Sequence, residues 1–340
     1  MLVRFVILLG CGATLAVGRA GDAVAQLAEL TDEEWNFAQG GRLIGKVLSA
    51  RNKHEVAVAG VARVRAQRSC FLEKLRDIET FKKTPSVRQI GKLSTEINVQ
   101  DLDRLTLEPE DVLALRDCRP RRCSLRVPIA VIQRLAMPVP EDEDRGDSER
   151  ANRIFREELV HYTRSYVAQG DRALIQYSDK SRPVPLANEF HSLLGGWKAL
   201  HETAPELYKL LGYSPERSFS SSEQFIYWSK ESFGLKPVIS VTHVTISQLP
   251  DRVWIGSKQI FANHYFDASL SITLAIDDPA DPSSFYLLYA NRSRIDLLRG
   301  AFAGLRRAIV RGRLQDGMRK NLQQTVTAIE SSCACSVENR

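Results

Sequence analysis

The sequence lacks the short motifs that mark common catalytic machinery. It has no G-x-S-x-G nucleophile elbow, no phosphate-binding P-loop, no H-E-x-x-H metal helix and no G-x-G-x-x-G dinucleotide loop. Cysteine and histidine are scarce, six of each in 340 residues. Cys118 and Cys123 are separated by four residues, and no second Cys or His pair completes a zinc set around them. No metal and no cofactor are therefore expected. Beyond the first residues no stretch approaches eighteen uninterrupted apolar positions, which argues against a spanning helix there. The net charge of +6 is small. It suits an anionic membrane surface better than nucleic acid, and no nucleic-acid partner is expected.

The first residues carry a clear signal. Arg4 supplies a positive start, and a mostly apolar run follows from Phe5 to about Val17. Thirteen helical residues rise about 20 Å, short of a hydrocarbon core of about 30 Å. A small-residue signature, Ala23-Val24-Ala25, precedes Gln26. Together these predict a secretory signal peptide over 1–25, cleaved near Ala25, and a periplasmic or secreted mature chain. Cys11 after Leu8-Leu9-Gly10 offers a lipoprotein reading. Only five apolar residues would then precede Gly10, which is short for the apolar region of a leader and favours ordinary cleavage.

Five cysteines follow that cut, and an exported chain permits disulfides. Cys118 and Cys123 flank Arg119-Pro120-Arg121-Arg122, a turn that can bring them within bridging reach. Cys70, next to Phe71 and Leu72, reads as a buried thiol. Cys333 and Cys335 lie in a tail (331–340), strained as a pair or else free.

Periodicity divides the chain into three stretches. The first, 26–94, reads as a largely helical Leu27–Asn52, a strand over His54–Arg65, a helix through Phe71, Leu72, Leu75, Ile78 and Phe81, and a strand over Val87–Ser94. Gly60 interrupts the strand alternation and suggests a bulge or bend. The second, 95–235, is helical with repeated interruptions. Helices are expected near Glu108–Arg116, Ser124–Leu135, Arg150–Gln169, Leu186–Leu194, Pro205–Leu211 and Glu223–Ser232, the last opened by a Ser220/Glu223 capping box. Pro138–Arg150 reads as an exposed acidic loop. The third, 236–330, carries four strands between Val238 and Ala290, joined in two hairpins, and a long helix from about Ile295 to Glu330.

The order strand, helix, strand, four antiparallel strands and a long terminal helix resembles the START/polyketide-cyclase superfamily, the helix-grip fold. The resemblance rests on His54–Arg65, the helix bearing Arg76-Asp77-Ile78-Glu79, Val87–Ser94, the strands between Val238 and Ala290, and Arg299–Glu330. It implies an α+β fold in which an antiparallel sheet wraps a long C-terminal helix. The helical middle then becomes an insertion, a possible lid over the cavity. It also implies an apolar cavity for a hydrophobic, lipid-like molecule, with no catalytic set to carry over.

Residue chemistry adds candidates. His243 falls roughly opposite Lys258 if the hairpin turns at Pro250-Asp251, and His264 then lies about 20 Å away, too far to share a metal. His264, Tyr265, Asp267, Asn291 and Arg292 form a polar and aromatic group at one strand end, which suits a ligand's polar head. The competing reading pairs Asp267 with Arg292 or Arg294 as a structural ion pair. Arg306, Arg307 and Arg311 make the last helix basic enough to meet an anionic membrane, or merely a solvated face. The function expected is that of an exported, non-enzymatic binder of a hydrophobic ligand. The alternatives are a cyclase or hydrolase using the same cavity, through His264 with Asp267 or Tyr265, and an envelope interaction protein acting through the helical middle.

Overall fold

The computed structural model describes residues 20–137, 146–212, 222–232, 235–298 and 303–334, with the side chains of residues 20, 146, 147, 297 and 303–314 outside that description. The apolar leader, Cys11 and Cys335 lie outside the described residues, as do the side chains of Arg306, Arg307 and Arg311.

Two helices, α1 (Ala20–Ala28) and α2 (Asp32–Gln39), lead into strands β1 (Ile44–Val47) and β2 (Glu55–Val64). Thr31 caps α2: its hydroxyl accepts from the Glu34 amide, and the Glu34 carboxylate accepts from the Thr31 amide. The expected helix over Leu27–Asn52 is therefore two short helices and a strand. Next come α3 (Arg68–Arg76), α4 (Ile78–Phe81) and β3 (Val87–Lys92).

The middle contains α5 (Pro109–Arg116), α6 (Ile129–Leu135), α7 (Gly146–Gln169), a two-residue pair β4 (Gln176–Tyr177) and β5 (Val184–Pro185), α8 (Leu186–Gly195), α9 (Lys198–Thr203) and α10 (Pro205–Leu211). Part of the expected acidic loop, 138–145, lies outside the described residues, and Gly146–Arg150 already belongs to α7. The chain then returns through β6 (Ser222–Glu231), β7 (Val238–Leu249), β8 (Arg252–Ala262), β9 (Phe266–Asp277) and β10 (Phe285–Ile295), and ends in α11 (Ala303–Ala334).

Eight strands form one sheet in the order β1-β2-β10-β9-β8-β7-β6-β3, every pair antiparallel. The first long strand lies beside the last, and α11 packs against β2, β1 and α3. This is an α+β fold with a helical insertion between β3 and β6, compatible with a helix-grip layout.

The expected helix over Glu223–Ser232 is instead strand β6. Phe225 and Tyr227 point to one side of the sheet, Ile226 and Trp228 to the other, and both sides are covered. Four consecutive apolar or aromatic residues, Phe225 to Trp228, give neither a helical nor a strand period, so pairing with β3 and β7 decides it. Gly60 makes no bulge: β2 keeps its register with β10 straight through Gly60↔Tyr289. A Cβ there would lie 2.8 Å from Leu322 Cδ2 and 3.2 Å from Met318 Sδ. Glycine at this position lets α11 approach the sheet.

Helices cover both faces. On one side, Ala62, Val64, Val244, Ile246, Val253, Ile255 and Leu287 meet α3, α4 and the α11 residues Leu322, Val326 and Ile329. On the other, Ala59, Val61, Trp254, Phe261, Leu270, Ile272 and Leu288 meet the insertion and α1. The described residues of the insertion therefore pack on the face opposite α11, not over the α11 side. Cys118 bonds Cys123 as expected. Cys70 is not a free thiol: it bonds Cys333 and fastens α3 to the end of α11.

Candidate functional site

The side chains singled out from sequence divide between the two faces. His243 pairs across strands with Lys258, as the hairpin geometry requires. Both are buried beneath the insertion. His243 Nε2–H donates to Gln224 Oε1 at 3.0 Å, and its Nδ1 accepts from the Tyr166 hydroxyl at 2.9 Å. Burial, reinforced by the Lys258 charge, lowers its pKa from 6.5 to about 3 and keeps it neutral. Lys258 bonds both Asp171 oxygens at 2.6 and 2.7 Å; burial lowers the ammonium's pKa, and the Asp171 charge restores part of it.

His264 Nε2 lies 2.9 Å from Asp111 Oδ2, in a pair almost closed to solvent. Tyr265 takes φ of +60° in the turn before β9, and its hydroxyl accepts from the Lys236 amide at 3.1 Å. Asp267, 0 % exposed, accepts from Arg126 Nη2 at 2.6 Å, and the Arg126 guanidinium also reaches Asp296 at 3.1 Å and the Phe266 carbonyl. Arg292 donates to Glu55 at 2.7 Å and to the Ser49 carbonyl at 3.1 Å; Arg294 meets Glu189 at 2.5 Å. The expected adjacency holds, since Arg294 sits opposite Ala268. Asp267 pairs with Arg126, 141 positions away in the insertion.

These charged residues act as pins. Asp267, His264, Lys258 and Arg294 each bond a residue of the insertion, and a polar group buried between a sheet and a helical layer needs such a partner. Four of the five rim candidates are thus held in separate protein contacts. His264 and Asp267 are engaged by different insertion residues, Asp111 and Arg126. Among the described residues no group of three or more His, Cys, Asp or Glu is placed to hold a metal ion.

The fifth candidate, Asn291, belongs to a different set. Alternation puts Tyr289, Asn291 and Ser293 of β10 on the α11 side, level with Ser269, Ser271 and Thr273 of β9 and with Ser257 and Gln259 of β8. On β8, β9 and β10 the apolar packing of this face ends at Ile255, Ala275 and Leu287, and beyond them these three strands present hydroxyls and amides, flanked on β2 by the buried Val56 and Val58. Asn291 donates to Ser269 at 3.1 Å, and Ser269 and Ser293 share a hydrogen bond at 2.8 Å. Tyr289, Thr273, Ser257 and Gln259 are only half-buried. Together they form a polar, half-buried stretch of this face of the sheet.

Lys82, just after α4, lies at its far side. It bonds Glu231 Oε1 at 2.7 Å and the Tyr227 hydroxyl at 3.2 Å, and Ser229 donates to the same Glu231 oxygen at 2.6 Å. Burial works against both charges, yet mutual attraction wins: Lys82 titrates above its usual range and Glu231 below. Their side chains nonetheless keep 27 % and 14 % of their surface open. Burial pushes the Tyr289 phenol up; Ser271 and Lys82 pull it back, and Tyr227 and Glu231 add to the rise. Tyr289 and Tyr227 stand four strand steps apart, about 19 Å across a flat sheet.

One atom here has no partner. Gln259 Oε1 is buried and accepts no hydrogen bond among the described residues. An acceptor closed to bulk water and left unmatched costs about 1–3 kcal/mol, so a donor from a bound molecule or an enclosed water would stabilise it. Sequence reasoning missed Gln259, Tyr289 and Lys82. Only the alternation of Ser257-Gln259 and Ser269-Ser271-Thr273 with apolar neighbours hinted that one strand face is polar. The chain matches no known family profile, and no curated protein is similar to it.

Proposed function

We propose that the protein binds a small organic molecule in the recess between the sheet and α11. The observation that carries this reading is the polar, half-open stretch of an otherwise apolar sheet face, with Gln259 Oε1 unmatched inside it. A cavity with an apolar floor and a few convergent polar groups is the usual form of a ligand site. The ligand is a largely apolar, lipid-like molecule bearing hydroxyl or carbonyl groups. Its apolar part meets Phe225, Val244 and Ile255, and its hydroxyl donates to Gln259. It is uncharged, because Lys82 and Glu231 neutralise each other. The test is native mass spectrometry of the protein purified from its own source, beside the Gln259→Leu variant. A bound organic mass present in the first and lost in the second supports the reading; a clean apo mass in both sinks it.

We also infer that the chain is exported and that its leader is cut five residues earlier than Ala25. The two disulfides favour an oxidising compartment. Val24 is 0 % exposed within α1, Leu27 and Ala28 share its core, and Gly21 lies under the Trp35 ring. A cut after Ala25 would divide α1 and discard Val24. Gly18-Arg19-Ala20 offers a small-x-small site directly after the apolar run. Sequencing the mature N-terminus should return Gly21; Gln26 would overturn this.

A further inference from the structure

A second cleft, of 880 Å³, lies outside the recess, between α2, β1 and α11. Its apolar part is Phe37, Leu43, Ile44 and Val47, with Phe37 41 % exposed. Its charged part holds Arg42, Lys46, Arg319 and Lys320 against Glu34 and Asp316, four cations to two carboxylates. Lys46 is already committed: it bonds Glu34 Oε2 at 2.7 Å and the Glu29 carbonyl, and it holds the Glu34 carboxyl below its usual range. Arg42 stacks over the Phe37 ring at 5.0 Å. Arg319 lays its stem across Gly45, where a Cβ would collide with it. Neither Arg42, Arg319 nor Lys320 has a carboxylate partner among the described residues. β1 is an edge strand, but Gln315 Nε2 donates to the Gly45 carbonyl, so the edge is not open to an added peptide strand.

From this we infer that the cleft binds an amphiphilic anion, an alkyl or aryl group carrying a carboxylate or phosphate. Arg42, Arg319 and Lys320 hold the head, and Phe37, Leu43 and Val47 hold the tail. Arginine supplies a planar fork for two oxygens and lysine a mobile point charge, the usual pair for such a head group. The apolar walls explain why the ligand needs a tail, since three exposed cations alone would bind a free inorganic ion weakly.

The test is isothermal titration calorimetry of the full mature chain with decyl phosphate, decanoate, decanol and inorganic phosphate. Decyl phosphate or decanoate should bind at least tenfold more tightly than decanol or inorganic phosphate, and whichever is tighter assigns the head group. Arg319→Gln/Lys320→Gln should weaken that binding at least tenfold, while Gln259→Leu in the recess should leave it unchanged. Equal affinity for decanol, or no binding by either anionic amphiphile, would overturn the inference. So would loss of binding in Gln259→Leu with none in Arg319→Gln/Lys320→Gln, which would assign the ligand to the recess.

Discussion

Removing the Cys70–Cys333 bond, with Cys70→Ala/Cys333→Ala, should lower stability more than any other covalent change available in this chain. The bond closes a loop between residues 263 apart, whereas Cys118–Cys123 spans only 5. In the chain-entropy picture the long loop is worth about 5–6 kcal/mol and the short one about 2, with realised losses for native bonds of about 2–5 kcal/mol. Unfolding entropy of about 2.1 cal/mol/K per residue gives about 0.6 kcal/mol/K for a chain of roughly 300 residues. A loss of about 3–5 kcal/mol then lowers Tm by about 5–8 °C. The local consequence is specific too. Leu322, Val326, Ile329 and Cys333 form the inward stripe of α11, and the bond fixes the last turn of that stripe to α3. Without it the Glu330 carboxylate, accepting from the Arg65 amide at 2.9 Å, is a remaining polar tie at that end. The assay is thermal unfolding by circular dichroism of wild type, Cys70→Ala/Cys333→Ala and Cys118→Ala/Cys123→Ala. A drop in the first variant no larger than in the second would refute the reasoning, because loop length would then not govern the effect.

Other perturbations probe the insertion side. His243 is neutral in the fold, with its pKa depressed from 6.5 to about 3. Its contribution is therefore complete above pH 6.5 and is lost as pH falls from there toward 3. One extra proton bound by the unfolded chain gives about 1.4 kcal/mol per pH unit, or about 2 kcal/mol between pH 6.5 and 5. Urea unfolding at pH 7 and 5 should show wild type losing about 2 kcal/mol more than His243→Gln, and equal losses would contradict the assignment. Arg126→Met should cost about 3–5 kcal/mol by leaving Asp267 charged and buried without its partner. Adding Asp267→Leu should recover part of that in the same assay. A cost below about 1 kcal/mol for the single change would mean that the pin is not needed.

Strands β7 to β10 and the helices α5, α7, α8 and α10 were legible because each carries a clear period and a punctuating residue. Pro109 and Pro205 open helices, and Pro250-Asp251 and Asp278-Pro279 mark hairpin turns. β1 and β6 were not legible. β1 has four residues, too few for a period, and β6 is buried on both sides, so its pattern carries no phase. Of the rim candidates, Asn291 alone lies on the polar stretch of the α11 side, and the alternation that put it there separates it from its neighbour Arg292.

The sequence by itself determined the α+β class, the antiparallel run closed by a long helix, the interruption in the middle and the short-range disulfide. All of these depend on local period, turn residues or cysteines five positions apart. Tertiary structure decided what depends on contacts across the chain. It set the face that the insertion covers, the pairing of Cys70 with Cys333 and the pairing of Asp267 with Arg126. A residue's period records that one side is buried; only the packed sheet specifies which layer buries it.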